Sequence, residues 1–180
     1  IELHHQLEGN CFVQVMAGEW IPTGAYIVKA ETFFSVGGYN PLMPVGEDVD
    51  LCRRIALHGS FASVKAVVVC AVIGAQGSTT DYDRLPAWSR RTRESILDRS
   101  GAFAWMWDSA SNSYWRVRVV RAYATSAVWN IEHRRPFTAA SRMVSALRGL
   151  AAGSRHLFSS AFWHAIARPY ESFTFEQGFK

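Results

Sequence analysis

The sequence predicts an α/β fold for residues 1–83, followed by an all-helical region over residues 84–180. Two runs rich in β-branched and aromatic residues, Ala25–Lys29 and Phe61–Ile73, are typical of buried strands. An amphipathic helix lies between them, and the apolar patterns after residue 83 have helical spacing. A sheet with so few strands would leave an edge unpaired, so we expect the first half to belong to a larger α/β sheet.

The composition indicates a globular chain whose two halves carry opposite charge. Hydrophobic residues make up 49% of the 180 residues and aromatic residues 13%, which excludes an intrinsically disordered chain. Residues 1–83 hold four basic and nine acidic side chains, whereas residues 84–180 hold fifteen basic and six acidic ones. The net charges of −5 and +9 predict two different surfaces.

Three features of the sequence indicate where in the cell the protein is found: its apolar runs, its first residue and its cysteines. The longest apolar run, Ala66–Ala75, has the length of a strand and not of a membrane-spanning helix. The chain begins at Ile1 with neither a methionine nor a signal-like run, so we expect it to be a piece of a longer protein. Cys11, Cys52 and Cys70 lie in apolar contexts and predict buried free thiols in a reducing, cytoplasmic compartment.

The helix Glu47–His58, which Gly59 ends, is the most regular element of the sequence. Its apolar residues recur at helical spacing on one face, and Asp50 is placed to pair with Arg54 one turn later. This face consists of Val49, Cys52, Ile55 and Ala56, while Asp50, Arg53 and Arg54 are expected to lie on the polar face.

Further helices are predicted on both sides of residue 83. A short helix over Glu31–Val36 ends at Gly37, a suitable left-handed cap. The second half predicts helices at Pro86–Ser100, Ala102–Ser109, Ser113–Glu132, Pro136–Ala152 and His156–Ala167. In the third of these helices a packed face is predicted from Trp115, Val119, Tyr123, Ala127 and Ile131.

Three acidic residues at the start of the Glu47–His58 helix admit two interpretations. Glu47 and Asp48 complement the positive end of the helix dipole, which stabilises a helix by ~0.3–1 kcal/mol for each charge. Alternatively, one carboxylate is a general base that the helix N-terminus keeps ionised and that points into a cleft. Asp50 has a structural explanation in Arg54. The residues alone leave both interpretations of the first two acids open.

A series of motifs surrounds these acids along the chain. In order they are WIPTGAYIVK at 20–29, FFSVGGYN at 33–40, GEDVDLCRR at 46–54, a valine-rich run and GST at 77–79. This ordered set closely resembles the second half of a family 2 glycosyltransferase catalytic domain of the GT-A fold, over about residues 15–95. The resemblance implies a partial, Rossmann-like GT-A sheet in residues 1–83, without its N-terminal nucleotide-binding half, followed by a basic helical extension.

The resemblance implies inverting transfer of a sugar from a nucleotide-sugar donor to an acceptor hydroxyl. The acceptor would be a saccharide or a lipid-linked molecule of cell-envelope polysaccharide or glycolipid synthesis. The family's Glu-Asp motif falls on Glu47 and Asp48, so Asp48 would be the general base and Glu47 would orient the acceptor or the base. Further expected substrate contacts, in the cleft and in the loop that closes over the donor, are Trp20, Thr23, Gly24, Ser78 and Thr79.

A divalent metal, Mg or Mn, is also implied by the resemblance. Its ligands would lie mainly in the missing half, which holds the family's Asp-x-Asp motif. Residues 70–77 lack the histidine that many such enzymes place after the valine-rich strand. No metal ligand is therefore assigned in this sequence, and the fragment alone is expected to be inactive.

The arginines of the second half admit several functions. Arg90 and Arg91 follow the expected donor loop, where they would meet donor phosphates or an anionic acceptor, or else form a solvated helix face. The arginines are spread over several helices without a recognised binding motif, so we expect no nucleic-acid partner.

The Pro136–Ala152 helix carries an apolar face that favours either packing on the catalytic domain or contact with an anionic membrane. Arg142 and Arg148 flank this face, and peripheral binding would place the protein at the inner side of the plasma membrane. An alternative to the enzyme is therefore a non-catalytic, arginine-rich helical module that binds a membrane surface or polyanion. The face comprises Met143, Val144, Leu147, Leu150 and Ala151.

Overall fold

The computed structural model forms two compact units, Ile1–Ala102 and Phe103–Lys180. The residues that it describes are 7–17, 21, 24–43, 46–64, 66, 85–110, 113–160 and 162–163.

Four helices form the described part of the first unit, and the third of them is its centre. Helix α3 packs against both α1 and α4, and its residues Leu51, Cys52, Ile55 and Ala56 are buried. The bounds of the four helices are α1 Phe12–Ala17, α2 Ala30–Ser35, α3 Glu47–Ala56 and α4 Leu85–Leu97.

The predicted α/β class, with its partial Rossmann-like GT-A sheet, is wrong for the described residues. Of these, 67% are helical and none belongs to a strand or sheet. The β pairing found among them is a single antiparallel bridge, in which Gly9 and Phe61 exchange backbone hydrogen bonds of 2.8 and 2.9 Å. Most of the valine-rich run, at residues 67–73, lies outside the described residues.

The first predicted strand shows why the pattern misled. Residues 26–29 of Ala25–Lys29 lack regular structure, and the Ile27 side chain is fully exposed instead of buried. β-Branched and aromatic residues favour a pleated surface only where neighbouring strands supply hydrogen bonds and packing. No such neighbour is present among the described residues. The segment after Cys11 forms helix α1, in which Phe12, Val13, Val15 and Met16 are buried.

The helix predictions are largely confirmed. Helix α2 is shifted by one residue from the predicted Glu31–Val36, and Gly37 has a left-handed φ of 86°, as expected for a cap. Helix α3 begins at the predicted Glu47 and ends two residues before His58. Cys11 and Cys52 are buried free thiols, as predicted.

The second unit is built around a pair of helices joined by three residues. Helix α5 spans Ala102–Ser109, α6 Ser113–Glu132 and α7 Pro136–Ala152, all as predicted. A 3-10 helix over Ser154–Phe158 replaces the start of the last predicted helix, whose end lies outside the described residues.

Helices α6 and α7 pack closely along their length. The predicted α6 face is confirmed at Trp115, Val119, Tyr123 and Ala127, which are buried, but wrong at Ile131, which is 63% exposed. No helix among the described residues combines the length and the apolarity needed to cross a bilayer.

Candidate functional site

The acidic residues predicted to be functional lie on the first turn of α3. The chain enters this helix through Gly46, whose φ of 80° is in the left-handed region that glycine adopts readily. Glu47 and Asp48 follow and are partly buried. The Asp48 Oδ1 atom accepts a hydrogen bond of 2.7 Å from the backbone N–H of Val49, which fixes the orientation of this carboxylate.

Asp50 has the structural function that the sequence predicted. Its Oδ2 atom accepts a hydrogen bond of 2.8 Å from Arg54 Nε and lies 2.7 Å from Arg54 Nη2. The same guanidinium donates to the backbone carbonyls of Val36 and Gly38. Arg54 therefore attaches α3 to the turn that ends α2, and Asp50 holds Arg54 in place.

Two tyrosines share a hydrogen bond in the unit that contains Asp48. The Tyr26 and Tyr39 hydroxyls are 2.6 Å apart and share a hydrogen bond. Burial is the main reason that the pKa of Tyr26 is raised, and the bond to Tyr39 and electrostatic interaction with Tyr39, Cys52 and Asp48 add to it. The Asp48 carboxylate is therefore within electrostatic range of the Tyr26 phenol.

Cys52 follows Asp48 by one turn of α3, on the same side of the helix. Burial raises the pKa of its thiol from 9.0 to about 11, and the negative charge of Asp48 adds to this effect. A backbone hydrogen bond from Ile21 and the charge of Arg53 oppose it. The backbone of Ile21 therefore lies against α3 at Cys52, one turn after Asp48.

The sequence-predicted substrate contacts are only partly described. Gly24 occupies a turn with a left-handed φ of 93°, just before Tyr26. Trp20, Thr23, Ser78 and Thr79 lie outside the described residues. The structure therefore brings Gly24 and Tyr26 into the same unit as Glu47 and Asp48 and leaves the other predicted contacts as predictions.

Arg90 and Arg91 are exposed on α4. Helix α4 is attached to α3 through Arg53, whose Nη1 donates to Thr92 Oγ1. At 100° per residue, Arg53 is about 140° around the α3 axis from Asp48. The described attachment of α4 is therefore on another face of α3 than the one that carries Asp48.

Sequence reasoning missed both the tyrosine pair and the burial of Arg53. Arg53 was predicted to stay on the polar face, but its side chain is only 2% exposed at the contact with α4. Burial is the main reason that its pKa falls to about 10, and the neighbouring charge of Arg93 adds to it. The sequence offered one indication of the pair, since the motifs at 20–29 and 33–40 each contain a tyrosine, Tyr26 and Tyr39.

The acids at α3 do not by themselves form a metal centre. Within the described ranges, no three histidine, cysteine, aspartate or glutamate side chains are grouped so that they could hold an ion. The metal expected from the resemblance therefore has no ligand set in this part of the chain.

No family model, curated protein or solved structure matches this chain. The resemblance to the family 2 glycosyltransferases stays a prediction from the motifs.

Proposed function

We propose that the chain takes part in inverting glycosyl transfer from a nucleotide-sugar donor to an acceptor hydroxyl, with Asp48 as the general base. The observation that carries the proposal is the position of Asp48, partly exposed on the first turn of α3 with its charge acting on Tyr26. The order of the surrounding motifs favours sugar transfer over other reactions of a carboxylate base.

The chemistry of this reaction requires one well-placed carboxylate. The acceptor oxygen forms a bond to the anomeric carbon while the bond from that carbon to the diphosphate oxygen breaks. The nucleoside diphosphate leaves with the electron pair, and the acceptor proton passes to Asp48. Attack from the face opposite the leaving group inverts the anomeric centre. A positioned carboxylate contributes about 10²–10⁴-fold to such a step by general base catalysis.

The neighbours of Asp48 have separate tasks in this proposal. The Val49 N–H orients the carboxylate, and the Tyr26 and Tyr39 hydroxyls are available to hydrogen-bond a sugar hydroxyl. Glu47 helps to orient the acceptor or the base. A divalent metal, held by ligands outside the described residues, would neutralise the negative charge of the donor diphosphate.

The test compares Asp48→Asn with wild type in the protein that carries this chain. Release of nucleoside diphosphate is measured over a panel of nucleotide sugars, with and without saccharide acceptors, and circular dichroism reports the fold. We expect acceptor-dependent release by wild type and a loss of about 10²-fold or more in Asp48→Asn.

The matched control is Asp98→Asn, which neutralises an exposed aspartate just after α4 in the same unit. This variant should keep wild-type turnover. Wild-type turnover in Asp48→Asn would show that another group is the base, and acceptor-independent release would indicate hydrolysis and not transfer.

A further inference from the structure

Helix α7 is buried on one face and carries exposed apolar side chains on the other. Ala139, Arg142, Ala146 and Gly149 face the interior of the second unit, where they are buried. On the opposite side, Phe137 is 90% exposed, while Val144 and Leu147 are each 56% exposed. At 100° per residue these three side chains fall within about 80° of one another around the helix axis. They form an exposed stripe, with Ala140 and Ala151 also exposed between and beyond them.

The stretch of sequence that holds this stripe carries charge of one sign. No acidic residue occurs in the sequence from His133 to Tyr170. Arginines stand before, beside and after the stripe, and four of them are exposed: Arg134, Arg135, Arg148 and Arg155.

We propose that the outward face of α7 docks on the surface of an anionic lipid bilayer. Phe137, Val144 and Leu147 would enter the boundary between headgroups and acyl chains, and the arginines would contact the lipid phosphates. The helix lies along the surface in this arrangement. The partner is inferred from charge complementarity. An exposed apolar stripe whose nearest charged residues along the chain are all arginine matches a surface with an apolar interior and negative headgroups.

A second copy of the chain is a poorer occupant of the same face. A symmetric dimer would place this stripe against itself and would bring the arginines of one α7 towards those of the other. Like charges brought together at an interface oppose association. The inference does not depend on the proposed sugar transfer, since it concerns α7 alone.

The test measures binding of the full chain to vesicles by co-sedimentation. One set of vesicles is phosphatidylcholine, and the other is an equal mixture of phosphatidylcholine and phosphatidylglycerol. We expect binding to the anionic vesicles that weakens with added salt. The variant Phe137→Ser/Val144→Ser/Leu147→Ser should bind them at least about tenfold more weakly. Arg134→Gln/Arg135→Gln should lose roughly fivefold for each arginine.

The matched control removes at least as much exposed apolar surface, and it does so from the first unit. Ile27, Phe34 and Leu42 are 101%, 75% and 81% exposed, and their combined serine variant should bind the vesicles as wild type does. Circular dichroism checks each fold. If the α7 triple variant does not fold, the single variant Val144→Glu replaces it with the same expectation.

Three results would overturn the proposal. These are equal or no binding to both kinds of vesicle, unchanged binding of the α7 variant, and a wild-type dimer in sedimentation velocity that the α7 variant dissociates. The last result would assign the face to an interface between copies of the chain.

Discussion

Arg54 and Asp50 form a two-point ion pair across one turn of α3, with Nε and Nη2 of the guanidinium 2.8 and 2.7 Å from the same carboxylate oxygen. The pair is largely shielded from water, since the two side chains are 16% and 8% exposed. The remaining donors of Arg54 reach the backbone at Val36 and Gly38. One side chain therefore joins the helix that carries Asp48 to the turn that precedes Tyr39.

We predict that Arg54→Ala lowers the free energy of unfolding of the first unit by about 2–3 kcal/mol. The variant leaves a buried carboxylate and two carbonyls without their donor. Arg54→Lys should give an intermediate loss, because an ammonium cannot reproduce the planar fork of the guanidinium. Urea denaturation of each variant measures the change.

The control for this prediction is Arg90→Ala, which removes an exposed arginine from α4. Its effect should stay within about 0.5 kcal/mol. An equal change in the two alanine variants would mean that the Arg54 contacts contribute nothing to stability.

A second prediction concerns the contact between α6 and α7 at Gly149. A Cβ at this position would lie 2.8 Å from Val120 Cγ2 and 3.3 Å from Trp107 Cζ3. Alanine favours a helix over glycine by about 1 kcal/mol, but overpacking of a buried site costs about 1–3 kcal/mol. We therefore expect Gly149→Ala to destabilise the second unit by up to about 2 kcal/mol, measured by thermal unfolding.

A smaller side chain at position 120 should remove the loss of stability that Gly149→Ala causes. In a Val120→Ala background the nearest clash is absent, and Gly149→Ala should be neutral or stabilising. Equal effects of Gly149→Ala in both backgrounds would contradict the close approach of the two helices at this point.

The helices of this chain could be predicted from the sequence because their signals are local. Pro136 at a first turn, Gly37 as a cap and the apolar spacing in α3 each act within a few residues. The strand prediction failed because its outcome depends on distant segments. Val28 and Ile27 have the side chains of a buried strand, but no described segment pairs with them.

The candidate site divides in the same way. The three acids on one helix turn, and the ion pair that separates Asp50 from the other two, follow from spacing alone. The Tyr26–Tyr39 bond joins residues thirteen positions apart, and the burial of Arg53 depends on Thr92 of another helix. No periodicity in one sequence reports such contacts.

A third prediction follows from the raised pKa of the Cys52 thiol. This pKa lies at about 11 in the folded chain against an ordinary value of 9.0, so the folded chain binds more protons between these pH values than the unfolded chain does. The resulting stabilisation is fully present below pH 9 and is lost as the pH rises to about 11. We expect a loss on the order of 2 kcal/mol from this group.

The measurement is the free energy of unfolding across that pH range for wild type and Cys52→Ala. The alanine variant lacks the titrating thiol, so its stability should fall less steeply with rising pH, although other groups still titrate. Parallel curves for the two proteins would show that the thiol makes no contribution.

The last prediction tests the relationship between Asp48 and Tyr26 without an assay of activity. Burial, the bond to Tyr39 and nearby negative charges all raise the pKa of the Tyr26 phenol. Tyr39→Phe removes the hydrogen-bond partner of Tyr26, so it should lower this pKa more than Asp48→Asn, which removes the smaller effect of the Asp48 charge. Ultraviolet titration measures phenol ionisation, and the difference from Tyr26→Phe identifies the signal of Tyr26. An unchanged pKa in Asp48→Asn would mean that the carboxylate is too far from the phenol for the two to act in one site.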